Sequence, residues 1–123
     1  PVDALAVHGL SAGFLAGLRA VHSARHIFGK DAEYSRTRGD RIGNAEAAER
    51  LQDSTHPVVI VHPLSGKKAL YVNGAYTIQI EGVPEAESRD LLTELFAHCV
   101  RPEFSTEFVW RSGSIAFWDN RST

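Results

Sequence analysis

The side chains that could do chemistry in this sequence are its six histidines, one cysteine and scattered carboxylates and serines, and their spacing limits what they can do. Six histidines suggest a metal, yet none stands in an H-x-H, H-x-D or H-E-x-x-H arrangement that would bring two ligands to one ion. His56 and His62 share one apolar run at even spacing, so on a strand they would face the same side about 20 Å apart, at roughly 3.3 Å per residue. One ion cannot bridge that gap. Their His-Pro pairs read instead as structural, each imidazole bonding a nearby carbonyl. His22 and His26 could share an ion on a helix but not on a strand, and His98 lies near a helix end, where the dipole favours a cation. Cys99 falls on an apolar stripe and reads as a buried structural thiol rather than a nucleophile. There is no G-x-S-x-G elbow and no Gly-rich phosphate loop. The residues alone make no complete catalytic constellation.

Two clusters still stand out. Trp118-Asp119-Asn120-Arg121 sets a large ring, a carboxylate, an amide and a guanidinium at the exit of an apolar strand, a place for either a turn or part of a site. In residues 71–76, two tyrosines flank a Gly74-Ala75 break; core packing accounts for Tyr71, while Tyr76 could equally line a pocket.

The elements that must position these residues can be read from periodicity. Ser11 is an N-cap for a helix over 11–20, with Phe14, Leu15, Leu18 and Val21 on one face, although Gly13 and Gly17 weaken it by roughly 1 kcal/mol each. Residues 20–28 read as β-like, ending in Ile27-Phe28. The charged stretch 29–43 has little apolar surface to offset its ordering entropy and reads as a mobile surface loop. Asn44 then caps a short helix carrying Ala45, Ala48 and Leu51. The run 56–63 is predicted as a strand buried on both faces, followed by a turn at 65–68 and strands over 69–73 and 76–80. Pro84, with Glu85 and Glu87 in the first turn, opens a helix whose buried stripe is Leu91, Leu92, Leu95, Phe96 and Cys99. Residues 106–111 and 114–118 are predicted to form a hairpin about Ser112-Gly113. The sum is an α+β chain, a sheet core with helices outside it.

Composition narrows the class. At 43% hydrophobic and 23% charged the chain is globular rather than disordered. Thirteen Lys plus Arg against 15 Asp plus Glu give a net charge of −2, which argues against a nucleic-acid binder. A single cysteine makes no internal disulfide and fits a reducing cytoplasm. No apolar run approaches the roughly 20 residues that span a bilayer, and the start does not read as a signal peptide. The chain has no methionine and opens and closes in mid-pattern, so it is expected to be a piece of something longer.

Several landmarks, taken in order, resemble one family. They are Gly17-Leu18-Arg19-Ala20-Val21-His22-Ser23, His56-Pro57-Val58-Val59, His62-Pro63 with Ser65-Gly66-Lys67, Ala69-Leu70-Tyr71-Val72-Asn73 and Arg101-Pro102-Glu103-Phe104. The most specific is Trp110 followed by Ser114-Ile115-Ala116-Phe117-Trp118-Asp119-Asn120-Arg121. Together they resemble the taurine dioxygenase / 2,4-dichlorophenoxyacetate dioxygenase group of iron(II)- and 2-oxoglutarate-dependent oxygenases, over nearly the whole chain and weakest across 30–54.

The resemblance implies a double-stranded β-helix (jelly-roll) core with flanking helices, of which residues 1–123 would be the central-to-late part of one domain. It implies Fe(II) held by a 2-His-1-carboxylate triad, with 2-oxoglutarate and O₂ as co-substrates and succinate and CO₂ as co-products. The expected substrate is a small organic acid, sulfonate, alkyl sulfate or aryloxyalkanoate, and the expected assembly a dimer or tetramer. By the same resemblance the H-x-D pair, the distal histidine and the 2-oxoglutarate ligands lie outside this sequence. What carries over is a pocket wall: Phe28 and Tyr76 as substrate-binding aromatics, and Trp118, Asn120 and Arg121 near the metal. Tyr76 replaces a phenylalanine of the taurine enzyme. The 29–43 loop falls where the family has a lid, and Asp119 is structural. The alternative is a non-catalytic fragment or a metal-free jelly-roll binding module.

Overall fold

The structure is a computed structural model that describes residues 10–29 and 51–119. The loop expected at 29–43 beyond Gly29, the helix capped by Asn44, and Asn120 and Arg121 lie outside the described residues.

Ser11 caps the first helix, α1 (Ala12–Ala16), its hydroxyl accepting the Phe14 N–H at 3.1 Å. The helix ends at Gly17 rather than continuing to residue 20. Two glycines make it weak, and the backbone beyond it is claimed by the sheet. Leu18 O accepts the Val58 N–H at 3.0 Å, and Arg19 O accepts the Glu81 N–H at 2.8 Å. Strand β1 (Arg19–His22) is thus held on both sides. It pairs antiparallel with β2 (Ser54–Pro57) and β5 (Thr77–Ile80), giving the order β2-β1-β5.

The β-like reading of 20–28 also needs correction. The strand stops at His22 and Arg25–Phe28 is one helical turn, α2. Ser23 makes the change, because its hydroxyl accepts the Arg25 N–H at 3.3 Å and competes with strand continuation.

The run 56–63 is two strands, not one. Val58 breaks it: its N–H goes to Leu18, and its carbonyl accepts the Tyr71 N–H at 2.7 Å. The chain therefore leaves β2 and enters a second sheet as β3 (Val59–Val61), paired antiparallel with β4 (Lys68–Leu70). Val58 and Val59 are buried, whereas Ser54, His56 and Pro57 are exposed, so the run is not covered on both faces. His56 consequently lies in β2 of the first sheet, and His62 just past the end of β3 of the second.

The long helix, α3 (Glu85–Cys99), starts after Pro84 as its sequence predicts. It packs on β5 through Leu92 and Leu95, which join Leu15, Ala20, Val58, Val59 and Ile80 in one buried cluster. Ser88 pins the two elements together: its hydroxyl accepts the Ile80 N–H at 2.7 Å with both residues buried. Gly82, at φ 74°, makes the left-handed turn between them.

After a 3-10 turn (Pro102–Phe104) the expected hairpin is present only as its turn. Ser114 N–H reaches Arg111 O at 2.9 Å, and Gly113 takes φ 83°. Among the described residues neither arm pairs with a strand, and Phe117 is 99% exposed. Alternating apolar residues form a ladder only against a partner strand, and none of the described ones faces them. Overall the described residues form a mixed α and antiparallel-β arrangement.

Candidate functional site

Register places the chemistry. Because Ala20 faces His56 and His22 faces Ser54, His22 and His56 are diagonal neighbours on one face of the β1–β2 pair. Their rings meet edge-on at 5.5 Å, and Tyr71 closes the triangle at 5.3 Å from His22 and 5.4 Å from His56. Across the other edge of β1, Thr77 lies opposite His22, with its hydroxyl 3.2 Å from Nδ1.

This face opens into a cavity of about 720 Å³ whose wall includes His22, His56, Tyr71, Tyr76, His98 and Cys99. Tyr71, expected in the core, stands at the cavity wall and is half exposed. Tyr76 is carried by a tight turn: Asn73 Oδ1 accepts the Ala75 N–H at 2.7 Å, and Asn73 O accepts the Tyr76 N–H at 3.1 Å. His26 ties α2 to the same turn, its Nε2 lying 2.6 Å from Ala75 O. Phe28 ends the same short helix, two residues beyond His26, but is not in the cavity wall. Trp118 is not in that wall either. Of the five residues expected at the site, the structure thus places Tyr76 on the cavity and Phe28 and Trp118 elsewhere; Asn120 and Arg121 are outside the described residues.

The His22 ring is electrostatically unusual. Burial lowers its pKa below the ordinary 6.5, and the neighbouring His56 lowers it further, so both favour the neutral ring. Thr77 Oγ1 already accepts the Asn73 N–H at 2.8 Å, which leaves its own proton for His22 Nδ1. The tautomer that satisfies most groups then carries its proton on Nε2, a buried atom with no hydrogen-bond partner. Burial also pushes the Cys99 thiol up, which disfavours the reactive thiolate. His98, expected as a cation at a helix end, is buried with its ring 5.0 Å from Phe104.

A second constellation joins Ser65, His62 and Asp119. The Ser65 hydroxyl is 3.1 Å from His62 Nδ1, and His62 Nε2 is 3.1 Å from Asp119 Oδ2. The residue types are those of an acyl-transfer triad, but the backbone donors beside the serine are spent. Gly66 N–H goes to His62 O at 2.9 Å and Lys67 N–H to Ser65 Oγ at 3.4 Å, leaving no donor pair for an oxyanion. The partner of His62 is a carboxylate rather than the carbonyl expected from the sequence.

Neither His22–His56–Tyr71 nor His62–Asp119 was legible as a unit, because each joins residues distant in the chain. Among the described residues no three His, Cys, Asp or Glu side chains are placed to hold a metal ion. These residues by themselves do not fit an iron site. No helix among them is long and apolar enough to cross a membrane.

A family model described as taurine catabolism dioxygenase TauD, TfdA family matches residues 8–123. The chain belongs to that family. Among TauD/TfdA relatives, it is 38% identical over 110 residues to the alpha-ketoglutarate-dependent 2,4-dichlorophenoxyacetate dioxygenase of Burkholderia sp. (strain RASC), covering 87% of this chain and 33% of the relative. It is 41% identical over 73 residues to the alpha-ketoglutarate-dependent sulfate ester dioxygenase of Pseudomonas putida, covering 59% of this chain and 24% of that protein. The crystal structure of a taurine dioxygenase from Burkholderia xenovorans superposes with a TM-score of 0.69 at 37% identity, over 97% of this chain and 35% of that one. The chain thus spans about a third of the length of the TauD/TfdA proteins matched across most of it.

Proposed function

We propose that the protein containing this sequence is an Fe(II)- and 2-oxoglutarate-dependent dioxygenase with a jelly-roll core. It converts a small organic acid, sulfonate, alkyl sulfate or aryloxyalkanoate, 2-oxoglutarate and O₂ to hydroxylated product, succinate and CO₂. Where the hydroxylated carbon bears sulfonate, sulfate or aryloxy, the product collapses to a carbonyl compound with release of sulfite, sulfate or a phenol. The observation that carries this reading is the family match over residues 8–123. The bound iron supplies the oxygen chemistry, and its ligands and those of 2-oxoglutarate lie outside this span.

The part played by this chain is a wall for the substrate. Tyr76 and Tyr71 offer ring faces and hydroxyls to the cavity, while Leu70, Val72 and Phe104 keep it apolar enough to hold water out. Phe28, at the end of α2, is a second substrate-binding aromatic. Trp118, Asn120 and Arg121 border the metal region. The protein acts as a dimer or tetramer in the cytoplasm, on small molecules rather than nucleic acid.

The test is spectroscopic. Anaerobic Fe(II) and 2-oxoglutarate added to the folded full-length protein should give a weak visible charge-transfer band. A folded protein that gives no band contradicts the reading and favours a metal-free binding module.

A further inference from the structure

Residues 105–119 leave the 3-10 turn and pair with no strand among the described residues. With no ladder to hold it, such a segment depends on individual side-chain contacts for its position. One such contact lies at its end. Asp119 accepts a hydrogen bond from His62, 57 residues earlier in the chain, at the close of β3. The backbone of His62 is fixed by the β3–β4 turn: its N–H donates to Lys67 O at 2.8 Å and its carbonyl accepts the Gly66 N–H at 2.9 Å. Pro63 confines it further.

The ring is fixed as well. The Ser65 backbone N–H, which can only donate, reaches Nδ1 at 3.1 Å. Nδ1 therefore offers its lone pair, the proton sits on Nε2, and Nε2–H donates to Asp119 Oδ2 at 3.1 Å. With the His62 side chain only 13% exposed, water competes poorly for this bond to a carboxylate. Asp119 and Trp118 have other contacts too, so loss of His62 would shift the segment end rather than release it.

We propose that His62 is a positioning residue: through Asp119 it sets where Trp118 stands, and with Trp118 one wall of the reaction centre. This rests on the reading that Trp118 borders that centre. The β3–β4 turn, through Ser65, acts as the lock that keeps the donating nitrogen pointed at Asp119.

The test uses the full-length protein with His62→Ala, Asp119→Ala, the double variant, and His62→Gln, whose amide can donate from nearly the same place. Two readouts are taken: the Trp118 indole N–H resonance, and the product (the hydroxylated acid, or the phenol, sulfate or sulfite it expels) formed per succinate released. Both single variants should displace the Trp118 resonance alike, the double variant no further, and His62→Gln should restore most of it. Product per succinate should fall on the order of tenfold in the alanine variants, as for a small misplacement of reacting groups. An unmoved Trp118 resonance, additive effects of the two single variants, or a moved resonance with an unchanged product ratio would each overturn the proposal. If the wild type releases no succinate at all, the dioxygenase reading fails, while the indole resonance still decides whether His62 places Trp118.

Discussion

The Thr77 hydroxyl lies 3.2 Å from Nδ1 of His22, while the opposite nitrogen of the same ring is buried without a partner. One side of the imidazole is anchored by the sheet register, and the other makes no compensating hydrogen bond. The arrangement has a measurable consequence for the pH dependence of folding.

His22 is harder to protonate in the folded protein than in the unfolded chain, first because it is buried and then because of His56. Between the lowered folded value and the ordinary 6.5, the unfolded chain binds more protons. Stability is therefore fully present above the ordinary value, declines as pH falls through it, and levels off below the folded value. Replacing His22→Gln should flatten that part of a plot of urea midpoint against pH. An identical slope in the variant would show that His22 does not carry it.

Ser88 should matter more than its size suggests. Its hydroxyl is the acceptor for the buried Ile80 N–H at 2.7 Å. Ser88→Ala leaves that N–H unsatisfied in the interior, at a cost of about 1–3 kcal/mol, read as a lower denaturant midpoint with unchanged m-value. A change within about 0.3 kcal/mol would contradict the assignment, since substitutions away from such features stay within roughly 0.5 kcal/mol.

Cys99 lines the same cavity as Tyr76, and burial raises its thiol pKa. It should react with a disulfide reagent near neutral pH more slowly than an exposed cysteine, and more slowly still when a ligand fills the cavity. Labelling as fast as in the urea-unfolded chain would argue against both its burial and its place on the wall.

Local signals were legible wherever a few neighbouring residues decide the structure. Ser11 announced α1, Pro84 with Glu85 and Glu87 announced α3, and Ser65-Gly66 announced the turn between β3 and β4. Where the outcome depends on distant pairing, the sequence was silent. Nothing in Val58-Val59-Ile60-Val61 marks a break; the break exists because Leu18 and Tyr71 take the two backbone groups of Val58 for different neighbours. In the same way the meeting of His22, His56 and Tyr71 follows from the β1–β2 register, and that of His62 with Asp119 spans 57 positions. Family landmarks pointed to the chemistry, but the sheet register chose which of their side chains share a cavity.

The most direct test of the central claim is a stoichiometry. The full-length protein is given Fe(II), 2-oxoglutarate and O₂ with a panel of aryloxyalkanoate, alkyl sulfate and sulfonate substrates, and succinate is quantified together with the phenol, sulfate or sulfite that the hydroxylated product expels. Substrate-stimulated succinate should be matched one-to-one by product for at least one class, with Tyr76→Ala raising the KM for that substrate by roughly tenfold, the loss of about 1.4 kcal/mol of binding. No 2-oxoglutarate turnover with any class, or a Tyr76→Ala enzyme kinetically identical to the wild type, would contradict it.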